Sequence, residues 1–321
     1  MNPLPISRRR FAALALGSAL CPRLAPASQQ LPKSLTFKGE SKFKAVAAKA
    51  VREGWGKLPI GERITKIAYE LRGTPYKGYT LEIHDRVESP SCNFDGLDCW
   101  TFFESALGIA RMIGRPQRSY SPDDLLREIE FTRYRGGACS GDYLDRIHYL
   151  AEWFFENEAR GVADNLTRSL GGAERIRGRK IQEMTVLWKS YRYLKKNPSL
   201  LPGMKKQEQR VAALPVYYIP KSKASSAARK LQSGDVIGIV TRHDGGFCSH
   251  VGLAVRTGDG VLRLMHASTN YKRVVVDKSL AGYLNEFSSH AGFIAARPQE
   301  LRETVLDPSQ YRANLAKLTR G

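Results

Sequence analysis

The chain has 321 residues, of which 42% are hydrophobic and 26% charged, and it carries a net charge of +20. This is a globular composition with ample material for a core, and no repeat at a solenoid or propeller period is present. The charge would draw polyanions, yet no helix-turn-helix, zinc-finger or RNA-binding aromatic motif accompanies it, so nucleic acid is excluded as the expected partner.

"ISRRRFAALALGSALCPRLAPAS" near the start has the three parts of an export signal. Arg8, Arg9 and Arg10 form a basic n-region, Phe11 to Leu20 an apolar run, and Ala25-Pro26-Ala27 a small-x-small cleavage site. The apolar run is too short for a membrane span. Ser7-Arg8-Arg9-Arg10-Phe11 resembles the twin-arginine motif, so residues 1–27 are expected to send an already folded protein to the periplasm. Loss of Arg8, Arg9, Arg10 and Arg23 with the signal lowers the charge from +20 to +16. Export points the remaining charge toward acidic polymers of the cell envelope.

Residues 28–60 read as a polar leader followed by a basic helix from Phe43 to Val51. The main domain is expected over residues 61–300, opening with the helical "GERITKIAYELR" and the turn "GTPYKGY". An extended stretch from Tyr79 to Val87 and a loop carrying Cys92 come next. In "FDGLDCWTFFESALGIARMIG", Phe102, Phe103, Ala106, Leu107, Ala110 and Ile113 recur at three- and four-residue spacing and line one helix face. Asp98 can cap this helix, and Gly114 and Pro116 stop it. Cys99 then falls in the first turn, where the positive end of the helix dipole favours an anionic sulfur. A packed, inert cysteine would satisfy the same position, since free cysteines are among the most buried residue types.

A helical insertion is expected at about 121–230. It includes a helix carrying Asp145, Arg146 and His148, the run "IQEMTVLWKSYRYLKKN", and a Pro-, Lys- and Ser-rich stretch with a short strand from Val216 to Ile219. The pattern then turns to β, with runs at 234–241, 250–257, 260–268, 271–277 and 292–298 separated by Gly/Asp turns. Helices first and an antiparallel sheet later make an α+β domain. Residues 301–321 form a charged tail with helical spacing.

A thiol nucleophile needs a base, and the base needs a polar group to hold it. His250 shares a strand face with Gly252 and Ala254, while Val251, Leu253 and Val255 point the other way into the core. His266 follows on the next strand. The two histidines meet if the intervening loop has an odd residue count, as in a three-residue Gly-bearing loop, and part if it is even. The sequence leaves that register open. No C-x-x-C is present and no second ligand lies at helical i, i+4 spacing, so a zinc site is not expected, and acyl transfer by a cysteine would need neither metal nor organic cofactor. If Cys99 stays reduced, at most one disulfide can form among Cys92, Cys139 and Cys248.

"GTPYKGY", "LDCWTFFESAL", "SHVGLAV" and "LMHAS", in this order, resemble the NlpC-type papain-like cell-wall cysteine hydrolases. "YRGGACSGDYLDRIHYLAEWFFENEARGVADNLTRSLGG" is similar to their N-acetylmuramoyl-L-alanine amidase-like branch. The likeness runs from about Ile64 to Pro298. Gly137 and Cys139 depart from the branch's Tyr-Arg turn, and the basic stretch near 175–230 has no counterpart. The resemblance implies a papain-like fold with Cys99 as nucleophile, His250 as base and His266 as the orienting third member. It implies substrate contacts from Tyr134, Arg135, Arg146 and His148. It also implies peptidoglycan or muropeptides as partner and cleavage of the amide joining N-acetylmuramic acid to L-alanine. A D-glutamyl–diamino acid endopeptidase of the same fold is the sister activity, and a non-catalytic wall-binding module is the alternative outside enzymes.

Overall fold

The structure is a computed structural model that describes residues 31–301 and 307–320; the export signal expected at residues 1–27 lies outside them. Apolar spacing drives the first helices. α1 (Glu40–Arg52) buries Phe43, Val46, Ala47 and Ala50, and α2 (Ile60–Glu70) buries Ile60, Ile64, Ile67 and Ala68. Both enter one core together with Phe37 and Trp55, so the described part of the stretch set apart as a leader, from Phe37 on, contributes to the core of the domain.

The segment from Tyr79 to Val87, expected to be extended, runs as turns and bends. Glu82 turns inward: it accepts from Tyr143 Oη at 2.6 Å and from the Tyr193 N–H at 3.1 Å. A strand would have to alternate such side chains toward solvent, and burial of the carboxylate against partners wins instead.

α3 (Cys99–Ile113) starts at a reciprocal capping box. Asp98 Oδ1 accepts the Thr101 N–H at 2.7 Å, and Thr101 Oγ1 accepts the Asp98 N–H at 3.0 Å. Every residue from Thr101 to Ile113 is buried, so this helix is enclosed by the rest of the domain rather than lying on it. Its two charges are paired inside: Glu104 with Arg133, and Arg111 with Glu128, both on α4 (Pro122–Arg133).

The insertion is less helical than its spacing predicts. After α4 a single turn, Tyr143–Asp145, is held by Asp142 Oδ1 accepting the Leu144 N–H at 2.9 Å. Arg146 then leaves in extended conformation, so Asp145, Arg146 and His148 do not share a helix. Regular helix resumes in α5 (Leu150–Ala159), breaks into short pieces at Glu183–Val186 and Arg192–Lys196, and returns in α6 (Leu201–Ala212) and α7 (Ala224–Ala228).

The sheet is antiparallel throughout, and its strands are β1 (Ala163–Asn165), β2 (Glu174–Arg175), β3 (Tyr217–Pro220), β4 (Val236–Thr241), β5 (Cys248–Arg256), β6 (Leu262–Ser268), β7 (Arg273–Ser279) and β8 (His290–Pro298). Their spatial order is β2-β3-β8-β4-β5-β6-β7, with β1 also pairing with β8. Val251, Leu253 and Val255 join the core that holds α3, as the alternation of β5 predicts. The other face is covered too: Ala254, Ile237, Ile239 and Phe293 pack with α7 and α8 (Leu280–Glu286). The domain is thus a mixed α+β fold with the sheet as its middle layer. α9 (Pro308–Thr319) docks on α5, where Tyr311 Oη donates to Glu156 at 2.7 Å and Asn314 donates to the Ala159 carbonyl at 3.1 Å. Among the described residues no helix is long and apolar enough to cross a membrane.

Candidate active site

α3 brings its N-terminal turn against β5, and this places Cys99 and His250 on one cleft of about 390 Å³. Tyr76, Tyr79, Trp100, Tyr149, Tyr191 and Phe247 give it aromatic walls. Arg256 pairs with Leu262, so the β5–β6 connection has five residues, Thr257 to Val261. An odd loop keeps both histidines on one face, although it is longer than the three residues expected.

One step beyond the Leu253–Met265 pair, His266 meets Gly252 across the ladder. A Cβ on Gly252 would lie 2.7 Å from the Met265 carbonyl oxygen and 3.0 Å from His266 Cβ. The glycine therefore gives His266 space to lean along the strand toward His250. His250 Nε2 lies 2.7 Å from His266 Nδ1, with the rings at 88°. His266 Nε2 lies 3.2 Å from Asp277 Oδ2 on β7. Tyr283 of α8 stacks on the His250 ring, with centroids 6.1 Å apart.

Burial decides the protonation states. It pushes the Cys99 thiol up to about 12, Asp98 adds to the rise, and N–H groups of Val251, Trp100 and Cys99 itself oppose it. Desolvation therefore opposes the anionic sulfur that the helix dipole was expected to favour. Burial also drives His250 well below its ordinary value, with His266 and His290 adding repulsion. His266 is lowered by burial as well, against the pull of Asp277. A sulfur and a ring that are both pushed toward their neutral forms can still react, a proton moving to the ring as the sulfur attacks a carbonyl.

A family model described as AmiA-like, N-acetylmuramoyl-L-alanine amidase-like, matches residues 66–293. The chain belongs to this amidase-like family. Among solved structures, an N-acetylmuramoyl-L-alanine amidase from Bacteroides uniformis is 28% identical with a TM-score of 0.67, covering 75% of this chain and 99% of that one. A Bacteroides fragilis protein named as a xylanase candidate is 30% identical with a TM-score of 0.63, covering 72% of this chain and 98% of that one. A Legionella pneumophila protein, 21% identical with a TM-score of 0.61 over 81% of this chain and 96% of its own, shares the fold. No curated protein matches the chain.

In this amidase-like domain the four residues expected to touch substrate separate into two pairs. Arg146 and His148 line the cleft. Arg146 is 4% exposed, with Nε 3.2 Å from Glu88 and Nη2 3.7 Å from Glu82, its guanidinium over the Tyr143 ring. His148 Nε2 lies 3.1 Å from the Tyr143 carbonyl. Burial, then Arg146 and Arg135, hold its ring well below the ordinary value and hence neutral. Tyr134 and Arg135 lie elsewhere. Tyr134 is fully buried and donates to Glu88 at 2.8 Å. Arg135 forks onto Glu152 with two contacts of 2.6 Å and donates to the carbonyls of Leu144 and Arg146. Neither borders the cleft, because internal partners take up their polar groups.

Asp277 and the inward-turned Glu82 and Glu88 escaped the sequence reading. Asp277 lies two residues beyond Val275, the partner of His266, so its position becomes legible only once the register is known. Cys92, Cys99, Cys139 and Cys248 are all free thiols.

Proposed function

We propose that this chain is a cysteine amidase of the papain-like, NlpC-related type that hydrolyses the amide between N-acetylmuramic acid and L-alanine in peptidoglycan or muropeptides. The observation that carries the reading is the meeting of Cys99 and His250 on one cleft, with His250 hydrogen-bonded onward to His266. His250 Nε2 is committed to His266, so Nδ1 accepts the Sγ proton as the sulfur attacks the carbonyl carbon. Asp98 occupies the Thr101 N–H, which leaves the N–H groups of Cys99 and Trp100 for the developing oxyanion. His250 returns the proton to the departing L-alanine amine. It then activates the water that releases the muramoyl acid and restores the thiol. No step calls for a metal.

Two observations favour the sugar-linked amide over the D-glutamyl bond. Aromatic side chains wall the cleft on several sides, as stacking on a sugar ring requires. The Bacteroides uniformis neighbour is named for that activity. We further propose that residues 1–27 export the protein to the periplasm, where its charge favours acidic envelope polymers.

The test is mass spectrometry of muropeptides, with and without N-acetylmuramic acid, after incubation with wild type and Cys99→Ala. The expected product is a free stem peptide beginning with L-alanine, reduced by roughly 10⁴-fold or more in the variant. Cleavage after D-glutamate would keep the mechanism and change the substrate. Equal turnover by the variant would sink the thiol mechanism.

A further inference from the structure

We propose that Asp277 is a positioning residue that fixes the tautomers of both active-site histidines and so keeps the His250 base unprotonated where it works. This rests on the reading of His250 as base. A carboxylate facing a ring nitrogen can only accept, so the 3.2 Å contact makes His266 Nε2 the protonated nitrogen. His266 Nδ1 is then a bare acceptor. At 2.7 Å from it, His250 Nε2 must be the donor. The remaining nitrogen of the neutral His250 ring, Nδ1, carries a lone pair. One buried carboxylate thus sets proton positions two rings away.

The two side chains in contact are largely shielded from solvent. The Asp277 side chain is 6% exposed and that of His266 only 2%. The second Asp277 oxygen, Oδ1, accepts the Lys278 N–H at 2.7 Å. This contact predicts what an amide would do in the same place. In Asp277→Asn the carbonyl oxygen must keep the Lys278 N–H, which turns the amide NH₂ toward His266. His266 Nε2 then becomes an acceptor, Nδ1 carries the proton, and His250 is left protonated at Nδ1. Shape and volume are conserved while the relay reverses.

The experiment compares wild type, Asp277→Asn and Asp277→Glu by ¹⁵N NMR of the histidine rings and by muropeptide turnover. The expected result for Asp277→Asn is a His250 ring protonated at Nδ1, with kcat lower by about 10- to 100-fold and KM unchanged. Asp277→Glu, which still offers only acceptors, should keep the wild-type tautomers and recover most of the rate. A His250 ring unprotonated at Nδ1 in both wild type and Asp277→Asn, or a kcat unaffected by the amide, overturns the proposal. Should wild type release no product, the amidase reading fails, while the ring nitrogens still decide whether Asp277 sets the tautomers.

Discussion

The row from His250 to Asp277 and the cleft wall around Arg146 differ in how they are built. The row stands on three neighbouring strands with a regular ladder between β5 and β6, and its side chains meet because the pleat repeats every two residues. The wall is formed by the turns after Tyr79 and the extended exit from Tyr143–Asp145, which have no period of their own. It is pinned by Glu82, Glu88, Glu104 and Glu152, set against the buried Tyr143, Tyr134 and Arg133 and the partly buried Arg135. Reacting groups that must keep fixed geometry sit on hydrogen-bonded strands. Irregular backbone is held instead by side-chain ion pairs, which define its shape at a cost in desolvation.

Breaking one pin should separate the two regions most clearly. Glu104→Ala would strand the Arg133 guanidinium, whose side chain is 2% exposed and makes two hydrogen bonds to Glu104 Oε2. The expected cost is about 3–5 kcal/mol of stability in urea unfolding, with kcat per folded molecule little changed, since the row does not contain Glu104. A large drop in kcat without loss of stability would contradict the division. Gly252→Ala strikes the row itself. Its Cβ would press on the Met265 carbonyl and on His266, and a cost of about 1–3 kcal/mol is expected, accompanied by loss of turnover as His266 shifts from His250. Retained turnover would show that the ladder tolerates more slack than the geometry implies.

The smallest effect should come from pH, and it touches both regions. His250 and His266 in the row and His148 in the wall all have ring values lowered by burial from 6.5. The unfolded chain therefore binds protons first as pH falls. Their contribution to stability is complete above pH 6.5 and is lost progressively below it, toward the folded-state values. The melting temperature should decline in that window. His148→Asn should make the decline shallower, and a decline of the same slope would remove His148 from the account.

Much of the site was legible because it rests on local rules. The Asp98 cap and the apolar spacing after it put Cys99 at a helix start, and alternation in "SHVGLAV" put His250 on the face opposite Val251 and Leu253. The substrate contacts were less legible, since Tyr134 and Arg135 look as available in the sequence as Arg146 and His148. Only their internal partners tell them apart.

Helix and strand periods, a capping pair and the order of cysteine before histidines are properties of neighbouring residues, and the sequence alone determined them. Three matters waited for the tertiary structure. The β5–β6 register made His266 reach His250, and the β6–β7 pairing recruited Asp277. Burial, which no local window records, works against the thiolate that the helix dipole favours. In each case the deciding energy comes from residues distant in the chain, through packing across a ladder or through the removal of water from a charge.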